Sequence, residues 1–122
     1  MYWTRIDVVN GGGLVRKGGM DGSNSTDIIS GSGNADGIVI DYQSRRIYWT
    51  HYDDIVGACI IKASNLDGSH TVIIHQLPAA CADFSPHGIA LVGNRLYWGN
   101  YFSNRIESSS TQPGSEIRVE PA

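Results

Sequence analysis

The sequence predicts an all-β chain built from repeats, and three observations carry that prediction. Ile and Val together number 22 of the 122 residues, against 5 Leu and 2 Lys, and 15 Gly are spread along the chain, a composition of strands and turns. A Tyr-Trp pair recurs as Tyr2-Trp3-Thr4, Tyr48-Trp49-Thr50 and Tyr97-Trp98-Gly99, at spacings of 46 and 49 residues, and takes in all three tryptophans. Met20-Asp21-Gly22-Ser23 returns as Leu66-Asp67-Gly68-Ser69 after 46 residues, so two separate landmarks share one period.

Within one period the elements follow from turn chemistry and alternation. Gly37-Ile38-Val39-Ile40-Asp41 is a short apolar run, read as the first strand and closed by the turn Tyr42-Gln43-Ser44-Arg45. Arg46 to Thr50 is the second strand. It places Ile47 and Trp49 on one face and Tyr48 and Thr50 on the other, so both faces carry bulk that needs cover. Ala58 to Ala63 and His70 to His75 are the third and fourth strands, joined through Asp67-Gly68, a dipeptide suited to the positive φ of a tight hairpin. The first-strand landmark Asp36-Gly37-Ile38-Val39-Ile40 returns as His87-Gly88-Ile89-Ala90-Leu91 after 51 residues, which places an insertion of about five residues at Ala79 to Phe84. A repeated four-strand unit whose sheet is covered on both faces is a blade of a β-propeller, since radial stacking covers both faces. A β-sandwich is the alternative, but its strands have no reason to repeat one tripeptide at a fixed period.

Composition excludes several function classes. With 41% hydrophobic and 17% charged residues the chain is too apolar for a disordered segment, and its net charge of -3 argues against nucleic acid as a partner. No apolar run approaches the roughly 20 residues of a membrane span, and Met1 to Asp7 lacks the basic-then-apolar pattern of a signal peptide. Two cysteines, Cys59 and Cys81, are too few and too far apart for a zinc site. No Ser-His-Asp order, phosphate loop or metalloprotease motif is present, and no cofactor is expected.

Pro86-His87-Gly88-Ile89-Ala90-Leu91, Tyr48-Trp49-Thr50 and Leu66-Asp67-Gly68-Ser69 resemble the blade motif of the YWTD β-propellers of low-density lipoprotein receptors and their relatives, which include Wnt co-receptors and nidogen. The resemblance runs from Tyr2 to about Ile106 and implies a six-bladed ring of four-stranded antiparallel blades. On that basis residues 1–33 are strands two to four of one blade, 34–80 a complete blade, and 81–122 most of a third, so the chain is about half a ring and part of a longer protein. Tyr2, Trp3, Thr4, Tyr48, Trp49, Thr50, Tyr97 and Trp98 form the blade-packing motif. The family's fourth motif position, an Asp that ties blades together, is Arg5, His51 and Asn100 here, and Gly99 stands where the third copy would have Thr.

The resemblance also places the candidate sites. The rim formed by the loops between strands two and three and between strand four and the next first strand takes ligands in the family; here it would carry Arg5, Asp7 and Asn10, then His51, Tyr52, Asp53 and Asp54, then Asn100, Tyr101 and Asn104, with Phe84 and His87 from the insertion. Asp53-Asp54 beside Tyr52 and Tyr101 makes an acidic and aromatic patch suited to basic protein ligands, against the alternative of an ordinary solvated loop. Asn24-Ser25-Thr26 fits the glycosylation pattern on the opposite rim. Cys59 and Cys81 are either a disulfide or two free thiols. His51, His70, His75 and His87 are scattered, without metal-ligand spacing. The expected function is a non-catalytic extracellular binding module of a receptor of the endocytic or Wnt co-receptor type, binding extracellular protein ligands. An adjacent EGF-like module and further blades would neighbour it, and a membrane would be reached only through a segment outside this chain. The alternatives are a nidogen-like matrix propeller and a metal-dependent lactonase-like enzyme, for which the channel-facing first strands offer only Asp41.

Overall fold

The computed structural model describes residues 1–7, 12–30, 34–53, 58–77, 88–100 and 105–120. Among them, strands make three antiparallel sheets. The first is β1 (Tyr2–Asp7), β2 (Gly12–Lys17) and β3 (Thr26–Ser30); the second is β4 (Asn34–Asp41), β5 (Arg46–Asp53), β6 (Ala58–Asn65) and β7 (Val72–Gln76). The third is β8 (Ile89–Val92), β9 (Arg95–Asn100), β10 (Arg105–Ser110) and β11 (Arg118–Glu120). In each sheet the strands lie in chain order, as hairpin connections require.

The period seen in the sequence is a period in backbone geometry. β2 pairs β3 with a bulge between Val15 and Arg16, and β6 pairs β7 with a bulge between Ile61 and Lys62, the same place one repeat later. Gly22 and Gly68 hold φ of 83° and 87°, and the residues two further on, Asn24 and His70, hold 52° and 55°. Backbone bonds from Gly22 N to Gly19 O and from Gly68 N to Asn65 O close both turns. The third hairpin keeps a glycine at positive φ, Gly114 at 71°, but closes one residue later, with Ser115 N donating to Gln112 O. It reads Pro113-Gly114-Ser115 and leads into β11, a fourth strand beyond the stretch that carried the family resemblance.

Packing follows the alternation of β5. Ile47, Tyr48, Trp49 and Thr50 are all buried, which demands cover on both faces. Ile47 and Trp49 pack with Val15 and Tyr2 of the first sheet, joined by Ile38, Ile40 and Leu66. Tyr48, with Cys59, Ile61, Ala63 and Ile74, packs with Leu96 and Trp98 of the third. β4 splits likewise, Ile38 and Ile40 toward the first sheet and Val39 toward the third, which explains its unbroken apolar run. Trp49 and Trp98 are fully buried, and their indole N–H groups have no hydrogen-bond partner among the described residues.

Several strand limits differ from the sequence reading. β4 begins at Asn34 and absorbs a bulge between Ala35 and Ile38, where Gly37 N donates to Thr50 Oγ1 at 3.0 Å. Thr50 is therefore a hydrogen-bond acceptor for an irregular strand as well as a packing residue. The fourth strand starts at Val72, because His70 belongs to the turn. The insertion at Ala79 to Phe84 lies outside the described residues, as does Cys81. Cys59 is fully buried and disulfide-bonded.

Candidate functional site

The rim proposed from sequence is built by the far ends of β5 and β9. His51, Tyr52 and Asp53 were expected in a loop, and the structure corrects this: they are the last residues of β5, paired with Ile60, Cys59 and Ala58. Arg5 and Asp7 likewise belong to β1. A ladder continues as long as the facing strand supplies partners, and β6 starts at Ala58, early enough to extend it. The backbone at Asp53 is thus held at a strand end. Asn100 ends β9 at the corresponding place, facing Arg105 across the ladder. Asp54, Tyr101, Asn104, Asn10, Phe84 and His87 lie outside the described residues.

The opposite rim carries the hairpin turns. Asp67 Oδ1 accepts from Ser69 N at 2.9 Å and from Ser69 Oγ at 2.5 Å, and Asp21 Oδ1 accepts from Ser23 N at 2.9 Å. These bonds favour the carboxylates, holding Asp21 and Asp67 below the ordinary 3.8. Asp41, the one carboxylate offered to a channel-side metal, accepts from Ser44 N at 3.1 Å in the β4–β5 turn and serves that turn. Asn24 is exposed beside the first hairpin, with Ser25 Oγ donating to Gly22 O at 2.7 Å, so the acceptor sequence sits on an accessible turn. A groove of about 430 Å³ opens on this rim between the first and second sheets, with Lys17, Arg45 and Asp67 at its edge.

Among the described residues, a side-chain polar contact crosses between sheets in the buried core. His75 Nε2 and Ser109 Oγ lie 2.8 Å apart, and the His75 ring packs against Trp98 with centroids 5.7 Å apart. Burial pushes His75 below its ordinary 6.5. Nothing local in the sequence marks His75 as different from the exposed His70 five residues earlier; its partners are 34 and 23 residues away in the next sheet.

No protein-family model matches the chain, and no curated protein matches it. Solved structures do match. A chain in the crystal structure of a nidogen/laminin complex aligns over 97% of this chain with a TM-score of 0.77 at 25% identity, and this chain spans 42% of that one. With three antiparallel sheets among the described residues, the middle one packed on both of its faces, the fold is that of a β-propeller.

Proposed function

We propose that the chain is a non-catalytic, extracellular protein-binding propeller module whose ligand surface is the rim at the far ends of β5 and β9. The observation that carries this reading is the likeness over 97% of the chain to a chain of a nidogen/laminin complex, a protein–protein assembly. The Tyr-Trp motif supports the receptor-related YWTD propellers, of endocytic or Wnt co-receptor type, as the wider class. The nidogen/laminin likeness favours a matrix role over a receptor role, so laminin is the first probe. Asp53 and Asp54, with His51, Tyr52, Asn100, Tyr101 and Asn104, are the residues assigned to the ligand, and Asn24 on the opposite rim is assigned a glycan.

The test is association kinetics of the chain with immobilised laminin and with a set of basic extracellular proteins at several salt concentrations. Asp53→Lys with Asp54→Lys is expected to slow association about tenfold and to reduce its salt dependence, because steering charges act mainly on the on-rate. Asp21→Lys on the opposite rim is expected to leave it unchanged. Equal kinetics for the two rims, or a larger loss from Asp21→Lys, overturns the assignment. Saturable binding of laminin supports the matrix role, and binding of the other probes without laminin supports the receptor role.

A further inference from the structure

The middle sheet meets each neighbour along a seam, and the two seams share one plan. Trp49 lies in the seam with the first sheet and Trp98 in the seam with the third, both fully buried. Ser64 and Ser109 stand at equivalent places, one paired with Ile47 and the other with Leu96, and both are fully buried. Each uses its hydroxyl hydrogen in the same way, Ser64 toward Asn65 O at 2.9 Å and Ser109 toward Ser110 O at 2.8 Å. The plan differs at one ladder position. Val15 pairs with Ile29 at the bulge of the first sheet, and Ile61 pairs with His75 at the matching bulge of the second. The second seam thus has a titratable ring at a position that is isoleucine in the repeat before it.

The bond to Ser109 selects one form of that ring. Ser109 Oγ has a single hydrogen and donates it to Ser110 O, so toward His75 Nε2, 2.8 Å away, it accepts. The docked ring is the neutral tautomer with its hydrogen on Nε2, and a second proton enters at Nδ1. That proton brings a charge to a side chain only 7% exposed. Among the described residues, alternation gives the seam uncharged side chains from β6, β8 and β9, and the neighbours of His75 on β7, Ile74 and Gln76, are uncharged too. From β10, Glu107 shares the face of Ser109, with Val119 of β11 opposite it. Asp41 of β4 and Arg46 of β5 pair with each other at the far end of the Tyr48 face. Lys62 lies with Trp49 in the first seam, and Arg95, Glu116 and Arg118 line a hollow elsewhere on the third sheet. Burial is the cause that lowers the His75 pKa, so Glu107 does not offset the charge.

We infer that His75 with Ser109 is an acid-released latch of the second seam, so that in acid the third sheet parts from the second while the first seam holds. In the open form the ring takes up its proton at the ordinary 6.5, and in the docked form it resists until lower pH. Each pH unit below 6.5 therefore favours opening by up to about tenfold, until the docked ring also protonates. Repeated units are held by their own ladders and by the seams to their neighbours, so a seam weakened alone opens alone. The third sheet is held to the second by the apolar cluster around Leu96 and Trp98 and by Gly114 N donating to Ile74 O, the residue next to His75. Both contacts are lost when the latch opens. This goes beyond the proposed ligand rim and does not depend on it.

The test is hydrogen exchange of the full chain at about pH 7.5 and about pH 5.5, read by mass spectrometry on peptides and corrected for the intrinsic rate at each pH. Peptides covering β9, β10 and Gly114 are expected to lose protection roughly 3- to 10-fold at the lower pH, and peptides covering β1 and β2 less than about twofold. His75→Gln keeps an uncharged donor for Ser109 and should remove this difference between the sheets. A purely packing role for His75 would instead change protection in the variant equally at both pH values and leave the acid loss in place. Should His75→Gln not fold, His75→Ile, which copies the residue of the first seam, takes its place. An undiminished acid loss in the variant overturns the inference. So does an equal loss in all three sheets, or full protection of β9 and β10 at the lower pH.

Discussion

The three tryptophans occupy the same position in the repeated Tyr-Trp motif and differ in what covers them. Trp49 and Trp98 are completely buried in seams, whereas Trp3 lies on the open side of the first sheet and is partly exposed beneath Arg16. Removing a fully buried aromatic forfeits its transfer free energy and leaves a cavity. Trp49→Ala is therefore expected to cost about 3–5 kcal/mol and Trp3→Ala distinctly less, read as the shift in urea midpoint at constant slope. Trp49→Phe should recover much of the loss, because the indole N–H it removes has no partner among the described residues. Equal losses from Trp49→Ala and Trp3→Ala would mean that the seams do not distinguish the two sites.

At the scale of elements, the hairpin turn shows how a short motif acts. Asp67 accepts from Ser69, Thr71 Oγ1 donates to Gly68 O at 3.2 Å, and Gly68 itself sits at φ 87°. A side chain at such φ clashes with its own backbone whatever the free space around it. Gly68→Ala and Gly22→Ala should each destabilise by about 1–2 kcal/mol, while Gly88→Ala, with open space and no positive φ, should fall within about 0.5 kcal/mol of the parent. Chemical denaturation of the three variants checks this. A Gly68→Ala variant as stable as Gly88→Ala would show that the turn changes type without penalty. The third hairpin keeps the glycine and replaces Asp with Pro113, and Gly114 N donates to Ile74 O at 2.9 Å. That turn is tied to the preceding sheet by its backbone.

For the whole molecule, the seam between the second and third sheets contains a titratable contact. His75 is buried, bonded to Ser109 and stacked near Trp98, and its pKa is lowered by burial. Above about 6.5 His75 is neutral in both folded and unfolded chains and contributes no pH dependence. As the pH falls below that value the unfolded chain takes up the proton first, so stability drops until the lowered folded value is reached and then levels off. His75→Gln, which keeps a hydrogen-bonding group without the titration, should flatten the stability profile between pH 7.5 and the acid plateau. An unchanged acid slope in that variant would place the sensitivity elsewhere.

The sequence by itself determined the repeat, the two-faced character of β5 and the hairpins at Asp21-Gly22 and Asp67-Gly68. These are local matters: side-chain alternation follows from the pleat, and positive φ from the missing Cβ of glycine. It also marked the rim through His51, Tyr52, Asp53 and Asn100, but took strand ends for loops, since the length of a ladder depends on where the facing strand begins and not on the residues themselves. Pro113-Gly114-Ser115 was legible as Gly-Ser at the 46-residue period and was hidden by the loss of its Asp. Which tryptophans are enclosed, that His75 meets Ser109, and which sheet faces are left open were decided by tertiary structure alone. Those contacts join residues tens of positions apart, and no local pattern encodes the partner that stacking brings against them.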